Sequence, residues 1–182
     1  VVEPRPGVWP EGTQAYAASF AQSRLWFLHQ LEPDLTAYHL PGIWLLKGEL
    51  DVTALNKALE SLIERHSALR TSFLLHDDEV VQLVHPVVPF HLIPESCCDR
   101  QLDSVLKQCL DHERATPFDL SSGLLIRARL LILSRHECLL LINHHHIASD
   151  GWSLSVLTRD LTALYNAHRN GRAPDLSLIH IS

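Results

Sequence analysis

Three consecutive imidazoles, His144, His145 and His146, stand at the end of an apolar run, and Asp150 and Gly151 follow within a few residues. Histidine is the side chain whose ordinary pKa lies nearest neutrality, so an imidazole held in one tautomer can accept or steer a proton at working pH. Along a strand end the side chains alternate between faces. His144 and His146 are therefore expected on one side and His145 on the other, so at most two of the three share a pocket. Asp150 comes four residues after His146, a place suited to a turn or a helix start. There a carboxylate can accept backbone N–H groups and fix the loop.

Two other readings stay open for these residues. The histidines could be polar members of an ordinary surface loop, although the run before them is strongly apolar and a buried imidazole costs free energy unless something uses or satisfies it. His144 and His146 could instead bind a metal. Cys97, Cys98, Cys109 and Cys138 include no pair at C-x2-C spacing, however, and the chain has no H-E-x-x-H helix.

The loop needs an element on each side. Cys138 to Asn143 reads as a short buried strand and Trp152 to Asn170 as a helix closed by Gly171, which makes His144 to Gly151 a strand-to-helix loop. Further upstream, Ala21 to Leu31 is predicted as a helix capped by Ser19 and ended by Pro33. Tyr38 to Leu50 is an extended run with a bend at Pro41-Gly42. Asp51 then caps an amphipathic helix with Leu55, Leu59, Leu62 and Ile63 on one stripe. Thr71 to Leu75 and Glu79 to His85 form a hairpin around His76-Asp77-Asp78, and Asp99 to Arg114 is a more polar helix. Leu124 to Leu133 is a strand joined to the histidine strand through Ser134-Arg135-His136. Alternating strands and helices of this kind predict an α/β lobe, a mixed sheet with flanking helices.

Composition sets outer limits. The chain has 182 residues, 46 % hydrophobic and 20 % charged, enough for one domain with its own core. A net charge of −6 without a basic run speaks against a nucleic-acid surface, and no stretch reaches the roughly 18 apolar residues of a membrane span. Cys97 and Cys98 are adjacent while Cys109 and Cys138 fall in apolar elements, which predicts reduced thiols in a cytoplasmic setting rather than a disulfide framework.

His145-His146-Ile147-Ala148-Ser149-Asp150-Gly151 resembles the H-H-x-x-x-D-G core motif of the condensation domains of nonribosomal peptide synthetases, and Trp152-Ser153 fits its continuation. Ser19 to Leu28, with Ala21-Gln22, Arg24-Leu25-Trp26 and Leu28, is similar to the family's first core motif. Arg65-His66-Ser67-Ala68-Leu69-Arg70-Thr71-Ser72-Phe73 is similar to its second, with Ser67 where a glutamate is usual. Pro117-Phe118-Asp119-Leu120, followed by Leu124 to Ala128, resembles the segment before the histidine strand. These matches come in the family's order and span most of the chain.

The resemblance implies one of the two lobes of a chloramphenicol acetyltransferase-like domain, with the active site in a channel between lobes. In that frame residues 1–15 are a linker, 16–175 the N-terminal lobe, and 176–182 a non-native tail that resembles a translated sequencing adapter; a genuine terminal strand is the other reading of that tail. The implied chemistry is amide formation in nonribosomal peptide biosynthesis, with an L-configured donor suggested by Arg24-Leu25-Trp26 and Leu31-Glu32-Pro33. The resemblance implies no cofactor of the lobe's own, because the substrates arrive as 4'-phosphopantetheine thioesters on carrier proteins. Upstream and downstream peptidyl carrier proteins, the adenylation domain of the same synthetase and the missing C-terminal lobe are the implied partners.

Within that chemistry His146 is the catalytic group, as general base or as an acceptor orienting the amine. His145 supports the loop, Asp150 holds its geometry, and Gly151 admits close backbone approach and offers an N–H toward developing negative charge. A buried aspartate needs a partner, so Arg65 is expected to pair with Asp150, with Arg70 as second choice. The related alternatives are an ester-forming or soluble acyl-thioester-dependent transferase and a non-catalytic carrier-protein docking module.

Overall fold

The computed structural model describes residues 9–97, 101–149, 154–169 and the backbone of 177–181. A short strand β1 (Gln14–Ala17) leads to helix α1 (Phe20–Leu31), which opens with a reciprocal cap: the Gln22 N–H donates to Ser19 Oγ, and the Ser19 N–H donates to Gln22 Oε1. Strand β2 (His39–Lys47) follows, then helix α2 (Val52–Arg65), capped by Asp51 Oδ1 accepting the Ala54 N–H at 2.9 Å. The hairpin β3 (Thr71–His76) and β4 (Glu79–Val84) turns through Asp77 and Asp78, both at positive φ, as a two-residue hairpin turn with right-handed strand twist requires. The chain continues through β5 (Pro94–Ser96), α3 (Leu102–Ala115), β6 (Ile126–Ser134), β7 (Glu137–His145), α4 (Leu154–His168) and β8 (Ser177–Ile181).

Two sheets result. The smaller has the order β1-β4-β3, and the larger β5-β6-β7-β2-β8, antiparallel except for the parallel β5–β6 pair. Strand β7 lies at the centre and is buried on both faces from Cys138 to His145, which explains its continuous apolar spelling. Cys138, Leu140 and Ile142 join Trp44 and the α2 stripe Leu55, Leu59, Leu62 and Ile63 in the main core. Leu139 and Leu141 face the other way, with Ile43 and Leu131, against Val105 and Cys109 of α3. Position parity on these strands therefore assigns the face, and odd numbers look toward α3.

Most predicted elements match the fold. Three differences have physical reasons. Strand β2 runs without the expected bend at Pro41-Gly42: Pro41 pairs with Asn143 on one side, while its other neighbour, β8, begins only at Ile43, so no donor is missed there. Gly42 is needed for packing, because a Cβ would run into the Trp44 indole and come within 2.9 Å of Leu154 Cδ2. Strand β7 continues two residues past the expected Asn143, because β2 and β6 still supply partners for His144, and His39 of β2 faces His145. The short strands β1 and β5 have no spelling of their own and exist through pairing with β4 and β6. The expected cap by Gly171 lies outside the described residues.

Candidate active site

The strand-to-helix loop starts at His146, in a single 3-10 turn spanning His146–Ala148. Alternation holds up to His145 and then stops, since the chain leaves the sheet there. His144 and His145 are each 2 % exposed, whereas His146 is exposed. The turn is fastened at both ends. The His146 N–H donates to Tyr38 O at 2.7 Å, the Ser149 N–H donates to His146 O at 2.9 Å, and the His145 N–H donates to Leu125 O at 3.2 Å. His145 adds a side-chain link, its Nδ1 accepting the Ile147 N–H at 3.0 Å. That bond requires Nδ1 to be unprotonated and leaves any ring proton on Nε2.

His145 sits in a box of rings. His39, Phe118, His29 and Tyr38 have centroids 6.0, 6.2, 6.3 and 6.4 Å from it. Burial pushes its pKa from 6.5 down to about 3, and the neighbouring imidazoles His39, His29, His146 and His144 add to the fall. Burial likewise lowers His144 to about 4, with a contribution from His146. Both are neutral at working pH. His39 is lowered by burial and by the Arg127 charge, against an opposing effect of Glu113. His29 is lowered by burial, with Asp119 opposing, and it also lines a cavity of about 390 Å³ with Trp26, Phe73, Asp119 and Ser121.

Beneath the box lies a polar cluster on the α3 face. Glu113 Oε2 accepts from Arg127 Nη2 at 2.6 Å and from Asn143 Nδ2 at 2.6 Å, and Asn143 Nδ2 lies 3.5 Å from His39 Nδ1. The carboxylate fixes the Asn143 amide orientation, because only the NH2 can donate to it. Neither Glu113 nor Asn143 is among the residues the sequence singled out. Arg127 and Phe118 are, but only as members of a resembling segment without a role. The signal that could have found them is parity: Arg127, Asn143, His145 and His39 are all odd positions on adjacent paired strands.

Asp150 and Gly151 lie outside the described residues, and with them the expected pairing of Arg65 or Arg70 with Asp150. Arg65 Nη1 is 3.8 Å from Asp160 Oδ2 on α4, where His66 Nε2 approaches to 3.1 Å. Burial would raise the Asp160 pKa, but hydrogen bonds from Arg159 and His66 outweigh it and hold the carboxyl low. Arg70 donates to the carbonyl oxygens of His85 and Glu64. Among the described residues, no group of three His, Cys, Asp or Glu side chains is arranged to hold a metal ion. None of the described helices is long and apolar enough to cross a membrane.

The Condensation domain family matches residues 13–180, and the chain belongs to that family. It is 41 % identical over 170 residues to a linear gramicidin synthase of Brevibacillus parabrevis, covering 90 % of this chain and 3 % of the synthase. Among solved structures it is similar to the X-domain of teicoplanin biosynthesis in complex with OxyB, with 34 % identity and a TM-score of 0.75, over 92 % of this chain and 35 % of that one. The starter condensation domain of rhizomide synthetase RzmA superposes with a TM-score of 0.75 at 24 % identity, over 89 % of this chain and 40 % of that one. The fold is thus the chloramphenicol acetyltransferase-like fold of condensation domains, and the chain spans a lobe-sized part of it.

Proposed function

We propose that the chain is the N-terminal lobe of a peptide-bond-forming condensation domain in a nonribosomal peptide synthetase. The observation that carries this reading is the division of labour at the end of β7: a neutral, caged His145 fastens the turn, and the next residue, His146, is exposed. In this reading a donor aminoacyl or peptidyl group is held as a 4'-phosphopantetheine thioester on an upstream carrier protein. The α-amine of an aminoacyl thioester on a downstream carrier attacks the donor carbonyl. A C–N bond forms and a C–S bond breaks. The nitrogen gives up a proton, which the departing thiolate takes up. A thioester is already activated, so the lobe has only to present an unprotonated amine and help the proton leave. His146 is the acceptor for that proton or for the hydrogen bond that orients the amine. Asp150, Gly151, Arg65 and Arg70 hold the loop, and the donor is L-configured. The adenylation domain and the second lobe complete the machinery, in a cytoplasmic setting.

A second reading has one observation behind it. The teicoplanin X-domain, 34 % identical to this chain, was solved in complex with OxyB, so a docking role without chemistry is the alternative. Offering the two-lobed parent a carrier-bound donor thioester with amine or alcohol acceptors separates the possibilities. Amide from the amine alone is expected; ester would reassign the reaction, and no product with either acceptor would favour docking.

A further inference from the structure

Glu113 lies on α3, outside every motif, and is only 3 % exposed. Its Oε2 accepts from Arg127 Nη2 and Nε at 2.6 and 3.2 Å and from Asn143 Nδ2 at 2.6 Å. Arg127 also donates to Thr116 O at 2.8 Å and Pro117 O at 3.3 Å, the two carbonyls just before Phe118, and its guanidinium carbon lies 4.0 Å from the Phe118 ring centre. One branch of the cluster therefore fixes Phe118. The other, through Asn143, reaches His39, which pairs in register with His145. The His39 and Phe118 rings pack edge to face at 4.9 Å, and each belongs to the box around His145.

We propose that Glu113 is a positioning residue of the condensation reaction: through Arg127 and Asn143 it holds Phe118 and His39 against His145, and so sets how the turn presents His146. This rests on the assignment of His146 to the acceptor amine. A plain buried ion pair would support the fold and nothing more, and the two roles separate experimentally. Removing one partner of a buried pair strands a charge, whereas replacing both with neutral side chains is often tolerated. Glu113→Gln is therefore compared with the double variant Glu113→Gln/Arg127→Met in the two-lobed parent. Three quantities are read: melting temperature, kcat and KM for the acceptor, and hydrogen exchange at the Ile147 amide, which reports its bond to His145 Nδ1.

The single variant is expected to melt roughly 10 °C lower, with the double variant recovering most of that loss. Because small misplacements at a reacting centre are costly, kcat should stay down by about tenfold or more in both variants, while acceptor KM moves by less than about threefold. Ile147 should exchange about tenfold faster in both, with Leu139 to Ile142 unchanged. Recovery of kcat together with melting temperature in the double variant, or unaltered exchange at Ile147, overturns the proposal. Should the unaltered parent form no amide, the assigned reaction fails instead, and the Ile147 exchange alone decides the role of Glu113.

Discussion

His145 and His144 make a specific pH signature. In the unfolded chain each imidazole takes up a proton as pH falls below about 6.5, but the folded chain holds them neutral down to about 3 and about 4. Because their folded pKa values are depressed, the unfolded state binds more protons in between, and stability rises with pH there. The stability is therefore complete above 6.5 and is lost as pH falls toward 4. Urea unfolding of the parent should lose on the order of 2 kcal/mol per imidazole between pH 7 and pH 5. His144 shares a strand face with Leu140 and Ile142, so His144→Met should remove its share and flatten the slope by about one proton; an unchanged slope would contradict the burial argument. His145 differs in having an acceptor to lose. His145→Ala removes both the ring and the bond to Ile147 and is expected to cost about 2–4 kcal/mol. His145→Asn places an oxygen near the Nδ1 position and should recover part of that loss, whereas His145→Gln should not.

The elements that carry the site depend on close fits a few residues away. Gly42 leaves room for the Trp44 indole, whose Nε1 donates to Thr158 Oγ1 of α4 at 2.9 Å. Gly42→Ala should therefore displace the Trp44 indole or α4 and cost about 1–3 kcal/mol in thermal or urea unfolding. Asp51→Ala, which removes only the cap of α2, should cost about 1 kcal/mol. The α2 stripe and the Ser19 and Asp51 caps were legible in the sequence, because each depends on neighbours within one or two helical turns. Cys138 to Ile142 was legible as a strand for its apolar run. Its extension through Asn143, His144 and His145 was not, since polar residues end an apolar run. What keeps them in the sheet comes from far along the chain: the carboxylate of Glu113 and the rings of His29, Tyr38, His39 and Phe118. Resemblance drew attention to the histidine pair, but neither local pattern nor motif pointed to the cluster behind it.

At the scale of the whole molecule, the chain covers 40 % of the RzmA starter condensation domain. Phe20 and Leu31 on α1 are 88 % and 78 % exposed, and half-exposed Phe27 falls on the same helical face. An apolar stripe of that kind favours association in water. Residues 1–182 expressed alone should therefore self-associate with rising concentration in sedimentation experiments and make no peptide from loaded carrier proteins; a monomer that forms dipeptide would contradict the reading of this chain as half of an active site. The central claim is that His146, and not its buried neighbours, meets the reacting amine. Single-turnover amide formation by the two-lobed parent carrying His146→Ala or His146→Gln tests it most directly. Loss of about 10²-fold or more in both variants at unchanged melting temperature is the predicted result for a general base, and retention in the glutamine variant alone would mark an orienting acceptor. Wild-type turnover by the alanine variant would contradict the account.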